Sequence, residues 1–188
     1  MRISISGPPG SGKTTICALV ASKLGYEYLL IGQIFRQMAA ERKVALNTFG
    51  KLAEENETID RELDDRMLAL ARSKDDIVIE GRLSGPLLKA RNIPVFAVYV
   101  DAADDIRAER IARREGKDPQ KVLQEIRTRE RSEKKRYTAF YSIDPTDPSH
   151  YDLWLDSSNT PAEALAETIV AEARRTDSNH AHKGQESD

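Results

Sequence analysis

The sequence lacks most of the features that mark secreted, membrane-spanning or nucleic-acid-binding proteins. It has one cysteine among 188 residues, which excludes a disulfide framework within the chain and favours a reducing cytoplasm. No apolar run approaches the roughly 18 residues that a membrane span requires, and the first residues resemble a strand rather than a signal peptide. The net charge of −2, with 32% charged residues, predicts neither a nucleic-acid nor a membrane partner. We therefore expect a cytoplasmic protein.

What the sequence does have is a glycine-rich loop between a short strand and a helix. Residues 6–15 read S-G-P-P-G-S-G-K-T-T and fit the pattern G-x-x-x-x-G-K-S/T of a phosphate-binding loop. Backbone N–H groups freed by the glycines, together with the N-terminus of the next helix, can surround the phosphates of a nucleotide. Lys13 is then expected to reach the β- and γ-phosphates, and the Thr14 hydroxyl to bind Mg²⁺. A plain Gly/Ser turn is the alternative, but the strand before it and the helix after it favour nucleotide binding.

Strand-like and helix-like segments alternate along the chain. Short apolar or alternating segments lie at 1–6, 27–31, 76–80, 95–100 and 152–156. The alternation predicts an α/β fold with a five-stranded parallel sheet and helices on both faces. Residues 37–73 predict a helical insertion between the second and third strands, and the polar residues 176–188 predict a disordered tail. Ligands of such a sheet bind at the carboxyl ends of its strands.

Four arginines follow the fourth predicted strand: Arg107, Arg110, Arg113 and Arg114. The last three share one helical face. A solvated basic face with weak salt bridges is one interpretation. The other is the start of a mobile lid, at about residues 110–130, that closes over a nucleotide and brings guanidinium groups to a transferred phosphoryl group.

A second group lies on a long polar helix near residues 119–141. Arg129, Glu133 and Arg136 are spaced i, i+4, i+7. They form either a simple ion-pair ladder or an arginine pair that Glu133 holds ready for a phosphate.

Three more charged residues lie near predicted strand ends. Arg36 and Arg82 are either surface charges or phosphate ligands, and their place at the carboxyl edge of the sheet favours the second role. Glu80, which ends the third strand, is the best candidate to hold a Mg²⁺-bound water, the alternative being an ordinary strand-end carboxylate.

Together these motifs resemble those of the nucleoside monophosphate kinases, and within that group the short cytidylate kinases of archaeal type. The resemblance covers about residues 1–170, and its ordered set of motifs is more specific than the phosphate-binding loop alone. The motifs are GPPGSGKTT at 7–15, GQIFR at 32–36, EGRL at 80–83, RAERI at 107–111, REGK at 114–117, RERSE at 129–133, RY at 136–137 and YDL at 151–153.

The resemblance implies a P-loop NTPase core formed by residues 1–36 and 74–175, with residues 37–73 as the monophosphate-binding domain. It implies direct in-line transfer of a phosphoryl group from ATP to CMP, and also to dCMP, with Mg²⁺ as cofactor. An anionic acceptor phosphate needs no strong base, which agrees with the lack of histidine in the first 149 residues. The residues expected to bind ATP are Gly7, Pro8, Pro9, Gly10, Ser11, Gly12, Lys13, Thr14 and Thr15.

The resemblance also implies roles for the arginines. Arg36 would grip the acceptor phosphate, while Arg110 and Arg114 belong to the lid and act with Lys13 on the transferred group. The residues expected to hold the acceptor or the transferred phosphoryl are Gly81, Arg82, Arg129 and Arg136, with Glu133 fixing the arginines.

The resemblance identifies the residues that bind phosphate more clearly than the residues that select the base. The bacterial cytidylate kinases have an acid after the arginine of their Asp-Gly-Arg-Asp motif, and Leu83 stands at that place here. Asp60 and Arg61 lie on the helix where the bacterial form has another cytosine-contacting arginine. An acid and an arginine would match the donor and acceptors of cytosine, so we expect these two residues to read the base.

Other functions stay open at this level. The same chemistry could act on AMP, UMP, shikimate or dephospho-CoA. A GTP-hydrolysing switch is disfavoured because no Asn-Lys-x-Asp occurs, and an RNA-binding ATPase because acids interleave the arginines of residues 105–136. We expect a monomer whose partners are small nucleotides.

Overall fold

A computed structural model describes the backbone of residues 1–183 and the side chains of all of these except 46, 47 and 179–183. Five strands form the sheet: β1 (Arg2–Ser6), β2 (Glu27–Leu30), β3 (Ile77–Glu80), β4 (Phe96–Asp101) and β5 (Leu153–Asp156). The order is β2-β3-β1-β4-β5 and all pairings are parallel, which confirms the predicted α/β fold.

The helices of the described part are α1 (Lys13–Leu24), α2 (Ile31–Glu41), α3 (Leu46–Glu55), α4 (Glu57–Ser73), α5 (Ser84–Ala90), α6 (Asp104–Glu115), α7 (Pro119–Tyr141) and α8 (Ala162–Lys183), with a 3₁₀ turn at Pro148–His150. The sequence does not predict α5, because Gly85 and Pro86 read as helix breakers. Both lie in its first turn, where proline is tolerated since that N–H has no partner within the helix.

The apolar core divides the molecule into a sheet body and two helical units. The strands β1 and β4 bury Ile3, Ile5 and Val98 against α1 and α8. A separate cluster centred on Met38 and Phe49 joins α2, α3 and α4, which span residues 31–73 and so include the predicted insertion at 37–73. A third cluster joins α6 to α7 as a helical hairpin. Each helical unit therefore has an apolar cluster of its own, and a further cluster packs Met67 and Leu68 of α4 against Ile79 of β3.

The last helix is longer than the sequence predicts. It continues to Lys183, so the expectation of a disordered tail is wrong for residues 176–183, and residues 184–188 lie outside the described part. No glycine or proline follows Pro161 until Gly184, so nothing in the sequence stops the helix earlier. Among the described helices, none has the length and apolar character needed to cross a membrane.

Candidate active site

The phosphate-binding loop connects β1 to α1 and requires glycine where it approaches its neighbours. Gly7 has φ of +145°, and a Cβ there would lie 2.1 Å from the carbonyl oxygen of Val100. Gly10 has φ of +81°, and a Cβ there would lie 2.7 Å from the carbonyl oxygen of Arg107. The first turn of α1 has no side-chain cap, so its N–H groups remain available to an anion.

Lys13 lies buried beneath this loop. Its ammonium group donates hydrogen bonds to the Pro8 carbonyl oxygen at 2.6 Å and to Ser11 Oγ at 3.4 Å. Burial, and next the positive charge of Arg82, lower the pKa of Lys13 to about 7. A lysine and an arginine that repel each other in a buried place are well suited to share a bound phosphate, because an anion relieves the repulsion.

Glu80, at the end of β3, faces the first turn of α1. Its carboxylate accepts a hydrogen bond from Thr14 Oγ1 at 2.9 Å and another from the hydroxyl of Tyr28. A hydroxyl and a carboxylate side by side are oxygen ligands of the kind that Mg²⁺ prefers. Within residues 1–178, where all but two side chains are described, no cluster of three or more acidic, histidine or cysteine side chains could hold a metal unaided. The donor set therefore fits a Mg²⁺ ion that is shared with nucleotide phosphates and water.

The predicted acceptor arginines are held by carboxylates. Glu133 forms ion pairs with Arg82 and, at 2.9 Å, with Arg129. Arg136 instead pairs with Asp60 of α4 at 2.6 Å. The expectation that Glu133 fixes all three arginines is therefore wrong for Arg136. Asp60 is buried, which raises its pKa, and a buried carboxylate has the stronger need of a cation.

One donor of the Arg136 guanidinium has no partner. Its Nε is buried and forms no hydrogen bond with any described residue. Orphan buried donors are rare in native proteins, and those that occur need an explanation such as a ligand that accepts from them.

The remaining substrate residues differ in their surroundings. Arg36 is exposed and forms no hydrogen bond or ion pair with a described residue, so its guanidinium is free for a phosphate. Gly81 lies where a Cβ would approach Ser84 Oγ to 2.9 Å and the Ile31 side chain to 3.0 Å, so glycine permits the close contact of β3 with α2 and α5.

Two predicted residues are not brought to the site. The side chain of Arg61 is 57% exposed and pairs with Glu57 one turn earlier on α4. The side chain of Arg114 is 70% exposed and pairs with Glu115. Both guanidiniums form local surface pairs of the kind that contributes little to stability.

Arg107 and Arg110 brace the phosphate-binding loop. Arg107, grouped by its position with the lid arginines, is buried and donates to the carbonyl oxygens of Pro9 at 3.1 Å and Ala102 at 3.0 Å. Arg110 donates to the carbonyl oxygens of Ser157 at 2.6 Å and Gly10 at 3.4 Å. Sequence reasoning missed Ser157, whose hydroxyl donates to the Ser11 carbonyl oxygen at 2.8 Å. Its place just after β5, at the ligand-binding edge of the sheet, was the available signal.

Comparison of folds shows that the architecture is shared with two small kinases. It superposes on a shikimate kinase from Acinetobacter baumannii with a TM-score of 0.61 and 18% identity, covering 93% of each chain. It superposes on a gluconokinase from Sinorhizobium meliloti with a TM-score of 0.60 and 15% identity, covering 97% of this chain and 96% of the other. At these identities the likeness shows the fold alone.

Sequence comparison is more specific. Over 170 residues the chain is 44% identical to a cytidylate kinase of Archaeoglobus fulgidus, covering 90% of this chain and 93% of that protein. It is 42% identical over 163 residues to a cytidylate kinase of Methanopyrus kandleri, covering 83% of this chain and 84% of that protein. The cytidylate kinase-like family matches residues 2–159, which confirms the resemblance seen in the motifs. The chain thus belongs to the cytidylate kinase-like family.

Proposed function

We propose that this protein transfers the γ-phosphoryl group of ATP to CMP, and also to dCMP, to give ADP and the diphosphate. The observation that carries the proposal is the meeting of two cationic sites: Lys13, buried below the phosphate-binding loop, and Arg82, which follows β3 and lines the same cleft as Gly7 and Pro8 of that loop. One site suits the donor phosphates and the other the acceptor. In-line phosphoryl transfer needs this pair of anion sites and little covalent chemistry from the protein.

Residues 7–15 would hold the ATP phosphates, and Thr14 with Glu80 would hold Mg²⁺, which when bound neutralises charge on the β- and γ-phosphates. Arg36 would bind the CMP phosphate. Arg82 and Arg129, oriented by Glu133, would exchange part of their contact with that carboxylate for the transferred phosphoryl group. The attacking phosphate oxygen is already anionic, so no general base is required.

For base recognition we infer that Asp60 acts together with Arg136 and not with Arg61. Asp60 and Arg136 form a buried acid–guanidinium pair, and the unpartnered Arg136 Nε can donate to a cytosine O2 or N3. The Asp60 carboxylate can accept from the cytosine amino group. UMP has a carbonyl in place of that amino group and would place a second acceptor oxygen against the carboxylate, so we infer that it is the poorer acceptor.

We further propose that the protein acts as a monomer in the cytoplasm, with residues 37–73 as the acceptor domain and residues of about 110–130 as the lid. Arg110 would stay with the donor nucleotide, and Arg114 would reach the phosphoryl group only when the lid closes.

An acceptor panel tests the proposed function. The protein is assayed for ADP formation with ATP and, separately, CMP, dCMP, UMP, AMP, shikimate and dephospho-CoA. We expect the highest kcat/KM for CMP, a measurable value for dCMP and a lower one for UMP. A higher value for another acceptor would replace the proposed substrate. ADP release that does not depend on any acceptor would point to a hydrolase.

A further inference from the structure

A cleft of about 610 Å³ lies on the side of the phosphate-binding loop that faces β4 and β5. Gly7 and Pro8 of the loop, Tyr99 of β4, Trp154 of β5, and Arg127 and Arg131 of α7 are among the residues that line it. Of the residues assigned to the substrates, Gly7, Pro8, Arg82 and Glu133 line this cleft, so it adjoins the phosphate-binding region. Arg36, Asp60 and Arg136, which are expected to bind the CMP phosphate and base, do not line it. Its volume suits a ligand the size of a mononucleotide.

The path of the chain between β4 and β5 explains why this cleft is open. In a parallel sheet the crossover helix normally covers the face of the strands that it connects. Here α6 and α7 pack on each other as a hairpin, and the chain returns to β5 through the short turn at Pro148–His150. The helix α7 therefore stands off this part of the β4–β5 face, and the cleft lies between the two.

Aromatic rings occupy the part of this face that borders the cleft, and Trp154 is the most exposed of them. Tyr99 and Trp154 are directly opposite each other in the β4–β5 register, and their rings stack at 3.9 Å with an angle of 24°. Tyr151 meets the Trp154 ring edge-on at 5.7 Å. Trp154 nevertheless remains 37% exposed. A half-exposed tryptophan fixed in orientation by two tyrosines is a rigid platform on which a planar ring can stack.

The wall above the platform carries excess positive charge. Five basic and three acidic side chains line the cleft. Most of these cations are paired: Arg127 with Asp104 at 3.1 Å, and Lys134 with Asp144 at 2.8 Å. Arg131 is exposed and donates through Nε to the Arg127 carbonyl oxygen at 3.3 Å, and it forms no ion pair with any residue that the structure describes. A free guanidinium near an aromatic floor selects a planar anion.

We propose that this cleft is a second nucleotide site, with the base stacked on Trp154 and the phosphates on Arg131, and that it binds while both substrate sites are filled. The inference goes beyond the proposed function, since the kinase reaction needs no third nucleotide. Gly7 and Pro8 belong to both the cleft and the phosphate-binding loop, and the Arg82–Glu133 pair forms part of its wall. A nucleotide bound in the cleft therefore contacts residues that hold the substrates. It acts as an effector that changes the rate of the kinase reaction.

The test uses Trp154, which is the single tryptophan of the chain. The protein is first saturated with a cytidine–adenosine pentaphosphate, which occupies the ATP and CMP sites together. CTP is then added, and Trp154 fluorescence and the amount of bound radiolabelled CTP are measured. We expect quenching that saturates with one CTP per chain, and ATP or GTP in place of CTP shows whether the platform distinguishes bases. No CTP bound at 1 mM would overturn the proposal.

Variants localise the binding. Arg131→Gln is expected to weaken CTP binding by about tenfold, and Trp154→Leu, measured by dialysis, by a similar factor through lost stacking. Arg175→Gln, which removes an exposed arginine of α8, is the matched control and should leave CTP binding unchanged. Equal CTP binding by Arg131→Gln and the control would overturn the proposal. So would tripolyphosphate that displaces CTP with equal affinity, because the aromatic floor would then contribute nothing.

The outcomes separate this inference from the proposed function. If the pentaphosphate fails to bind, the kinase proposal fails. Equilibrium dialysis with CTP, which compares Arg131→Gln with the Arg175→Gln control, then still decides whether the cleft binds a nucleotide. If the pentaphosphate binds and CTP does not, only the second site is lost.

Discussion

The donor half and the acceptor half of the site hold their cations in different ways. In the donor half, Lys13 and Arg110 donate to backbone carbonyl oxygens, which are neutral. In the acceptor half, Arg82 and Arg136 are bound to the carboxylates of Glu133 and Asp60. Carbonyl contacts orient a cation without cancelling its charge, whereas carboxylate contacts largely neutralise it. Lys13, when it is protonated, and Arg110 therefore keep their charge available before any ligand arrives, whereas Arg107 of the same half is paired with Asp104 and Glu130.

The difference teaches how the two substrates would be received. ATP phosphates would meet a preformed cationic loop, and little rearrangement is needed there. In the acceptor half only Arg36 is without a partner in the described part of the chain among the five arginines predicted to bind substrate, which are Arg36, Arg61, Arg82, Arg129 and Arg136, so the CMP phosphate would first meet Arg36. The other guanidiniums would then be shared between their carboxylates and the incoming anion. Variants on each side can break or sharpen this contrast.

The largest effect is expected on the donor side. Lys13→Ala removes the buried ammonium group that would neutralise the transferred phosphoryl group, and we expect kcat to fall on the order of 1000-fold or more. The measurement is ADP formation with saturating ATP and CMP, with circular dichroism to confirm folding. Lys51→Ala, at an exposed position of α3, is the matched control. Near-normal CMP phosphorylation by Lys13→Ala would contradict the proposed function.

An intermediate effect is expected on the acceptor side. Arg36→Ala removes the unpaired guanidinium that would meet the CMP phosphate, and we expect the KM for CMP to rise about tenfold to a hundredfold. The KM for ATP should change far less. Arg61→Ala serves as the comparison, because its side chain already pairs with Glu57 at the surface. Equal changes in both KM values for Arg36→Ala would remove the contrast between the halves.

A smaller effect concerns the protonation of Lys13, whose pKa of about 7 in the free protein lies below its ordinary value. Nucleotide phosphates favour the charged form, so binding raises the pKa and takes up a proton at pH above 7. We expect ADP affinity to be constant below pH 7 and to fall by at most about tenfold per pH unit above it. Calorimetry in buffers of different ionisation enthalpy measures the uptake.

Lys13→Arg provides the control for this pH dependence, since a guanidinium stays charged throughout the range. The variant should show no proton uptake that is coupled to ADP binding. Proton uptake of the same size in Lys13→Arg would show that another group is responsible.

The phosphate-binding loop illustrates what local sequence can establish. Its glycines, Lys13 and Thr14 all lie within residues 7–14, and the loop geometry depends on a few nearby backbone angles, so the motif alone predicted the loop. The sheet followed from alternation of strand and helix patterns. In contrast, the partner of Arg136 could not be predicted, because Asp60 lies 76 residues away in the chain.

The charged residues on one face of α7 show why sequence spacing alone can assign the wrong ion-pair partner. Arg129, Glu133 and Arg136 share one helical face, and spacing alone suggested that Glu133 binds both arginines. Only the packing of α4 against α7 brings a second acid to Arg136, and only the contact of β3 with α7 brings Arg82 to Glu133.

The sequence by itself therefore determined the fold class, the phosphate-binding loop and the set of arginines available for chemistry, because these depend on local patterns and on residue type. The tertiary structure decided which carboxylate neutralises which arginine, which arginines remain free, and where the β4–β5 face stays open beside Trp154. Those properties depend on distances between segments far apart in the chain. Burial then sets their strength, since the energy of an ion pair depends on the solvent that surrounds it.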